Sequence, residues 1–289
     1  MPRARVLVQL DSDREPSLFD SVVAVDAGVD HLFRYSQVEP EGVRDLVYGA
    51  IFTRGPADLK HTAIFIGGSD VARGEQILER VRETFFGPFR VSVMLDPSGA
   101  NTTAAACVLE AAEGLELAST TTLVLAGTGA VGRRVAALVA RAGSRVRVAS
   151  RTRERSAAVC QDIAARVPGA QLEPVETSTP AALAQALEGV ALLVAAGPPG
   201  VELLSGSLHE ACPTLKLAVD LSAVPPYGLA QISPQDHGVL HEGVRCFGAL
   251  AIGGRKMKIH KAAVASLFTA SDKIVDLEQL YELGRQPQP

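Results

Sequence analysis

Leu123-Val124-Leu125-Ala126-Gly127-Thr128-Gly129-Ala130-Val131-Gly132 is the stretch on which the fold turns. A short apolar run, the signature of a buried strand, leads straight into glycines at the first, third and sixth positions of the turn. A helical run to Arg141 follows. Strand, glycine spacing and helix together raise a weak pattern to a useful one. The first glycine permits the tight turn, the second lets the backbone approach a pyrophosphate, and the third lets the helix pack closely on the strand. Backbone N–H groups and the positive end of the helix dipole then hold the anion. The pattern predicts a Rossmann-type parallel sheet that binds a dinucleotide.

Which dinucleotide is read from the end of the next strand. An NAD site places a carboxylate about 20 residues on, for the ribose 2′-hydroxyl. Here the chain runs Val148-Ala149-Ser150-Arg151-Thr152-Arg153, with no carboxylate before Glu154. An Arg can fork onto a 2′-phosphate, which a carboxylate would repel. Ser150 and Arg151, with Arg153 or Arg155, therefore argue for NADP, and nothing here excludes NAD. The competing reading is a solvated helix start. Farther along, Ala195-Ala196-Gly197-Pro198-Pro199-Gly200 follows another apolar run. It is either the rim beside a nicotinamide ribose or a plain tight loop.

Outward from this core the chain alternates short apolar runs with helical spacing, which favours a mainly parallel sheet. Before it, strands are expected over Arg5–Leu10, Thr62–Ile66 and Val91–Leu95. Helices are expected over Pro16–Val25, from about Val71 to Phe86, and over Ala104–Ala112, the last capped by Asn101 or Thr102. After it come strands Arg145–Ser150, Val190–Ala195, Leu215–Leu221 and Arg245–Leu250, and helices Glu154–Arg166 and Ala181–Leu187. Lys258 to Leu283 reads as two helices that cannot bury their apolar faces alone and must return to an earlier unit. The chain is thus an α/β protein of two units.

With 289 residues, 47% hydrophobic and 21% charged, the composition is globular rather than disordered. Twenty-eight basic against 32 acidic residues leave a charge of −4, no general footprint for nucleic acid. Aromatics at 4% with no Trp make base-stacking platforms poor candidates. The apolar stretch near the N-terminus is too short for a signal peptide, and no run approaches a membrane span, so a cytoplasmic location is expected. Cys107, Cys160, Cys212 and Cys246 form no CxxC pair and read as buried thiols. His237 and His241 are four apart without a nearby third ligand, so no metal site is expected. Asp11, Asp13 and Glu15 read as a polar turn.

Two further stretches are dense in small and polar residues: Gly87-Pro-Phe-Arg-Val-Ser-Val-Met-Leu-Asp96-Pro-Ser-Gly99-Ala-Asn101-Thr102-Thr103 and Phe247-Gly-Ala-Leu-Ala-Ile-Gly253-Gly-Arg255-Lys256-Met-Lys258-Ile-His260-Lys261. The second is the most basic short segment in the chain. Alone, it reads as a solvated edge or as a supply of cations to a ligand, and composition favours the edge. These two stretches, the glycine turn, LVQLDSDREPSLFDSVVAVDAGVDHL and IFTRG…HTAIFIGGSD together resemble the NADP-dependent methylene-tetrahydromethanopterin dehydrogenases of bacterial one-carbon metabolism. The resemblance spans nearly the whole chain. The family is distantly similar in fold to methylene-tetrahydrofolate dehydrogenases.

The resemblance implies a substrate (pterin) domain of residues 1–101 with 258–289, its C-terminal helices returning to it, and a Rossmann NADP domain of residues 102–257. It implies that Lys256 projects beside the carrier's one-carbon unit as the catalytic residue, with His260 near it. Phe19, Asp20, Asn101 and Thr102 line the pterin side. Gly127, Thr128, Gly129, Ala130, Val131 and Gly132 cradle the pyrophosphate. Ser150, Arg151 and Arg155 meet the 2′-phosphate, and Ala196 and Gly197 sit at the nicotinamide rim. A homo-oligomer is also implied. Oxidising a methylene bridge between two nitrogens needs placement rather than an acid–base pair. A protonated Lys256 directly against the nascent cation is unfavourable, so it is expected to orient the carrier through a carbonyl or to act as the neutral amine. The alternatives are a methylene-tetrahydrofolate or shikimate-like NADP-dependent dehydrogenase and, in another class, a non-catalytic NADPH-binding sensor.

Overall fold

In the computed structural model, which describes residues 3–286, the chain divides into two compact units: Met1–Thr102 with Lys256–Pro289, and Thr103–Arg255. The first unit carries β1 (Val6–Asp11), α1 (Leu18–Asp26), β2 (His31–Tyr35), α2 (Val43–Ile51), β3 (Thr62–Gly67), α3 (Val71–Thr84) and β4 (Ser92–Leu95). A helix that opens at its end, α4 (Ala100–Gly114), runs on into the second unit's residues. That unit carries β5 (Thr121–Leu125), α5 (Ala130–Arg141), β6 (Arg145–Ser150), α6 (Arg153–Arg166), β7 (Gln171–Glu176), α7 (Pro180–Leu187) and β8 (Leu192–Ala195). It continues with α8 (Leu208–Ala211), β9 (Leu217–Asp220), β10 (His237–His241) and β11 (Val244–Phe247). The chain ends with α9 (Ala249–Ser266), β12 (Ile274–Val275) and α10 (Leu277–Arg285).

The second unit's sheet has the order β10-β11-β9-β8-β5-β6-β7, parallel except for β10. Successive strands leave β5 first through β6 and β7, then cross to β8 and β9, which is the doubly wound dinucleotide-binding order. Its central strands β5, β8 and β9 are buried on both faces and read as apolar runs, which is why the sequence showed them. Leu123, Leu125, Leu187, Leu193 and Ala218 form the core of one face, each leucine contributing roughly 1.5–3 kcal/mol.

The first unit's sheet, β12-β4-β3-β1-β2, is wholly parallel. Its direction of growth reverses between β1 and β3, the other common doubly wound order. Leu10, Ile51, Ile64, Ile66, Ile77 and Val93 fill the face covered by α2 and α3. Local chemistry starts the helices: Ser17 Oγ accepts from Asp20 N, and Asp70 accepts from Arg73 N. The tail returns to this unit: β12 pairs with β4, and a reciprocal capping box of Asp276 and Gln279 opens α10.

Several expectations are corrected. Asn101 and Thr102 do not cap a helix, because α4 begins at Ala100; the capping acceptor is Asp96, whose Oδ1 accepts from Asn101 N and Thr102 N. The strand expected through Leu250 stops at Phe247. Gly248 packs so closely on the Ser233 carbonyl that any Cβ would collide, and α9 starts one residue later, well before Lys258. A short strand, β12, separates the two tail helices. Strands β2, β7 and β10 and helix α2 were not foreseen. The four cysteines are free and buried, and burial pushes Cys107 and Cys246 up to about 12, which makes them inert thiols.

Candidate functional site

Each unit has a crevice where its strand order reverses, the place where open α/β sheets bind ligands. In the second unit this lies between β5 and β8. After Leu125 the chain turns through Ala126, whose φ of +52° is left-handed, and Gly127 N donates to Ala149 O at 2.8 Å. A Cβ on Gly127 would lie 2.9 Å from both Val124 O and Val148 Cγ1, and one on Gly132 would lie 2.6 Å from Ala126 O. Backbone cannot yield there, so both positions demand glycine. Gly129 is exposed at the start of α5, where no side chain caps the helix. The first-turn N–H groups, including those of Ala130 and Val131, are therefore left for an anion.

The neighbouring strand supplies the rim. Ala196 N donates to Leu125 O at 3.1 Å, and a Cβ on Gly129 would stand 3.8 Å from Ala196 O. Gly197 is held against Leu203, whose Cδ1 would lie 2.9 Å from a Cβ there. At the end of β6, Ser150 is buried, while Arg151, Arg153 and Arg155 are exposed and form no ion pair among the described residues. A Gly-lined anion cradle followed by uncommitted guanidinium groups fits a dinucleotide carrying a 2′-phosphate.

The first unit's crevice lies over the ends of β1, β3 and β4. Asp13, Ser17, Phe19, Asp20, Gly68, Ser69, Ser98, Gly99 and Lys256 line a cavity of about 310 Å³. Its floor is tied together by hydrogen bonds. Asp13 accepts from Ser69 N at 3.0 Å and Ser69 Oγ at 2.8 Å, joining the ends of β1 and β3. Burial would raise the Asp13 pKa, but these bonds win and lower it. Ser98 N donates to Gly68 O at 2.7 Å, joining β3 to β4. Gly99, with φ of +61°, leaves room that Lys256 fills, since a Cβ there would strike Lys256 Nζ. The same Nζ stands 4.9 Å from the centroid of the Phe19 ring.

Asp20, in the first turn of α1, is pushed up to about 6. Burial is the main cause; Asp96 and Asp11 add to it, while Ser17 and Lys256 oppose it. Beneath the cavity, Thr102 Oγ1 donates to Asp96 Oδ2 at 2.6 Å and Asn101 Nδ2 to Leu95 O at 2.7 Å. His260 is 1% exposed and stacks on Phe65 with centroids 5.6 Å apart. Among the described residues neither of its ring nitrogens has a hydrogen-bond partner, and burial lowers its pKa, so it is a neutral imidazole.

Residues 18–98 match the family model for the N-terminal part of methylene-tetrahydromethanopterin dehydrogenase, and residues 123–223 match that for the NADP binding domain of saccharopine dehydrogenase. The chain is 41% identical over 285 residues to a bifunctional protein MdtA of Methylorubrum extorquens, covering 98% of both. It is 31% identical to the NAD(P)-dependent methylenetetrahydromethanopterin dehydrogenase of the same organism, over 96% of this chain and 97% of that one. The chain belongs to the methylene-tetrahydromethanopterin dehydrogenase family. In fold it is also similar to the quinate dehydrogenase of Corynebacterium glutamicum, with a TM-score of 0.53 at 13% identity over 97% of this chain and 98% of that one.

Within this dehydrogenase, Lys256, Phe19 and Asp20 come together around the cavity, and Lys256 belongs to the first unit. Asn101, Thr102 and His260 do not line it; they are almost fully buried in the layer below, around Asp96. The glycine turn and Ala196 converge at the other crevice. Sequence reasoning missed Asp13, Ser17, Gly68, Ser69, Ser98 and Gly99 as lining residues. The signal was present as small and polar residues directly after three strands. The supposed polar turn is more than that, because Asp11 is fully buried and accepts from Ser17 N and Asp13 N.

Proposed function

We propose that this chain oxidises methylene-tetrahydromethanopterin to its methenyl cation with reduction of NADP. The observation that carries the reading is the cavity at the β1/β3 switch point, inside the segment that matches the dehydrogenase's N-terminal family model. The expected division, residues 1–101 with 258–289 for the carrier and 102–257 for NADP, is supported by compact units of nearly those limits. NADP, when bound, accepts the hydride at nicotinamide C4. The N–H groups of the turn from Gly127 to Gly132, with Thr128, Ala130 and Val131, bind its pyrophosphate. Ser150, Arg151 and Arg155 take the 2′-phosphate, and Ala196 and Gly197 face the nicotinamide ribose.

Lys256 orients the carrier through a polar group rather than at the reacting carbon, and the Phe19 ring provides an apolar wall. Asn101 and Thr102 act from below by fixing Asp96 and the start of α4, and His260 packs beneath them on Phe65. No proton moves at the reacting carbon, so the chain's task is binding and alignment to within ~3–3.5 Å of the hydride acceptor. A homo-oligomer is supported by the exposed apolar row Leu18, Val22 and Val25 on α1, and light scattering tests it. Among the described residues no helix is long and apolar enough to cross a membrane, which fits a cytoplasmic enzyme.

Paired kinetics test this reading. NADPH formation is followed with methylene-tetrahydromethanopterin and with methylene-tetrahydrofolate, each against NADP and NAD. Turnover with the methanopterin carrier and NADP is expected. Turnover with the folate alone, or dinucleotide binding without turnover on either carrier, would overturn it in favour of a folate enzyme or a nucleotide sensor respectively.

A further inference from the structure

Hydride removal leaves the carrier one unit more positive. A C–H bond at the methylene bridge breaks, its electron pair goes to nicotinamide C4 of NADP, and the carbon remains as a cation shared by its two nitrogens. No proton is released. A site that accelerates this step must favour positive charge at that carbon more in the transition state than in the ground state. Negative charge is plentiful here, but most of it is engaged.

Four carboxylates surround the crevice. Asp11 accepts from Ser17 N at 3.0 Å, Asp13 N at 2.9 Å and Gln9 Nε2 at 3.3 Å. Asp96 accepts from Asn101 N, Thr102 N and Thr102 Oγ1. Asp13 accepts from Ser69 N, Ser69 Oγ and Ser12 Oγ. These three hold the ends of β1, β3 and β4 in place, and Asp11 and Asp96 are fully buried.

Asp20 differs. It lines the cavity; its backbone N donates to Ser17 Oγ at 3.2 Å, and the Ser17 hydroxyl favours the ionised carboxyl. A carboxylate offers about four lone-pair positions, so Asp20 has acceptor capacity to spare. A Cβ on Gly67 would stand 3.6 Å from Asp20 Oδ2 and 3.4 Å from Asp11 Oδ2, so the two carboxyls converge over the end of β3. The groups that act on Asp20 are Asp96, Asp11 and Lys256, and the neutral His260 lies below them.

Building on the proposed reading of the cavity, we propose that Asp20 is the anion that stabilises the methenyl cation as it forms. Burial beside other carboxyls opposes its ionisation, and the arriving positive charge relieves that opposition. The carrier's charge and the ionisation of Asp20 therefore reinforce each other.

The test needs no dinucleotide. Methenyl-tetrahydromethanopterin, a cation at the bridge, and methylene-tetrahydromethanopterin, neutral there, are titrated calorimetrically onto the full chain and onto Asp20→Asn. Their tails are identical, so the two forms differ only at the bridge, in its charge and in the planarity and hydrogen count that go with it. At pH 8 the native chain is expected to hold the methenyl form about tenfold more tightly than the methylene form. In Asp20→Asn the methenyl form weakens about tenfold while the methylene form changes less than about twofold. The native preference fades as pH falls below 6, and the Asn variant's does not change. Equal weakening of both forms, or none, would overturn the role of Asp20 while leaving the cavity as the carrier site. If the native chain binds neither carrier, the reading of the cavity falls and takes the proposal with it. A thermal melt of Asp20→Asn establishes that it is folded.

Discussion

The two crevices occupy the same topological place and carry opposite chemistry. Between β5 and β8 the lining is mainly backbone, glycines a side chain would crowd and the N-terminus of α5, with the exposed arginines after β6 beside it. Between β1 and β3 it is side chains: Asp13, Asp20, Ser69 and Lys256 around a closed floor. One suits phosphate, the other a group whose charge changes during reaction. Doubly wound topology fixes where a ligand sits, and the residues just after each strand decide what that ligand is. Loss of function should accordingly separate by crevice.

The largest effect is expected from Lys256→Ala, which should lower turnover by about 100-fold or more while NADP affinity changes less than about twofold. Steady-state kinetics beside direct NADP titration check it; unchanged turnover would remove Lys256 from the site. Next comes a stability effect. The Asp20 pKa is raised from 3.8 to about 6, so the folded state opposes its ionisation, and stability is lost as pH rises between those values. Asp20→Asn should therefore be more stable than the native chain by about 2–3 kcal/mol at pH 8, with the gain vanishing below about pH 4. Urea unfolding at the two pH values reads this directly, and a constant difference would mean that Asp20 is not perturbed.

Gly132→Ala should weaken NADP by about 2 kcal/mol, roughly 30-fold, because its Cβ meets backbone that cannot move, and carrier binding should be untouched. Titration with each ligand distinguishes this from general unfolding. The smallest effect is expected from Arg151→Ala: about tenfold weaker NADP with NAD unchanged, the signature of a lost 2′-phosphate contact. Equal loss for both dinucleotides would place Arg151 elsewhere.

The legibility of the two regions differs for the same physical reason. β5, α5 and β6 were readable because a buried parallel strand is an unbroken apolar run and the glycine spacing is local. β2, HLFRY, was not, because it is an edge strand whose residues are mostly exposed. β7 hides at an edge of the other sheet, where Pro174 is tolerated. β10 is antiparallel and broken by a bulge near Gly238. Helix α2 lies between Gly42 and Phe52 with Gly49 inside it, which blunted the helical signal of Val43, Val47 and Ile51. The cavity was harder still. Asp13, Ser69 and Ser98 are far apart in sequence and meet only because β1, β3 and β4 are neighbours. Asn101 and Thr102 belong to the right segment, but Asp96 draws them inward.

A crystal structure of the chain with both NADP and methenyl-tetrahydromethanopterin tests the division of labour most directly. The pyrophosphate should lie on the N–H groups at the start of α5 with the 2′-phosphate beside Arg151, and the carrier's bridge carbon should sit in the cavity near Asp20 and Lys256. A carrier bound away from that cavity, or a dinucleotide that leaves the glycine turn untouched, would contradict the account.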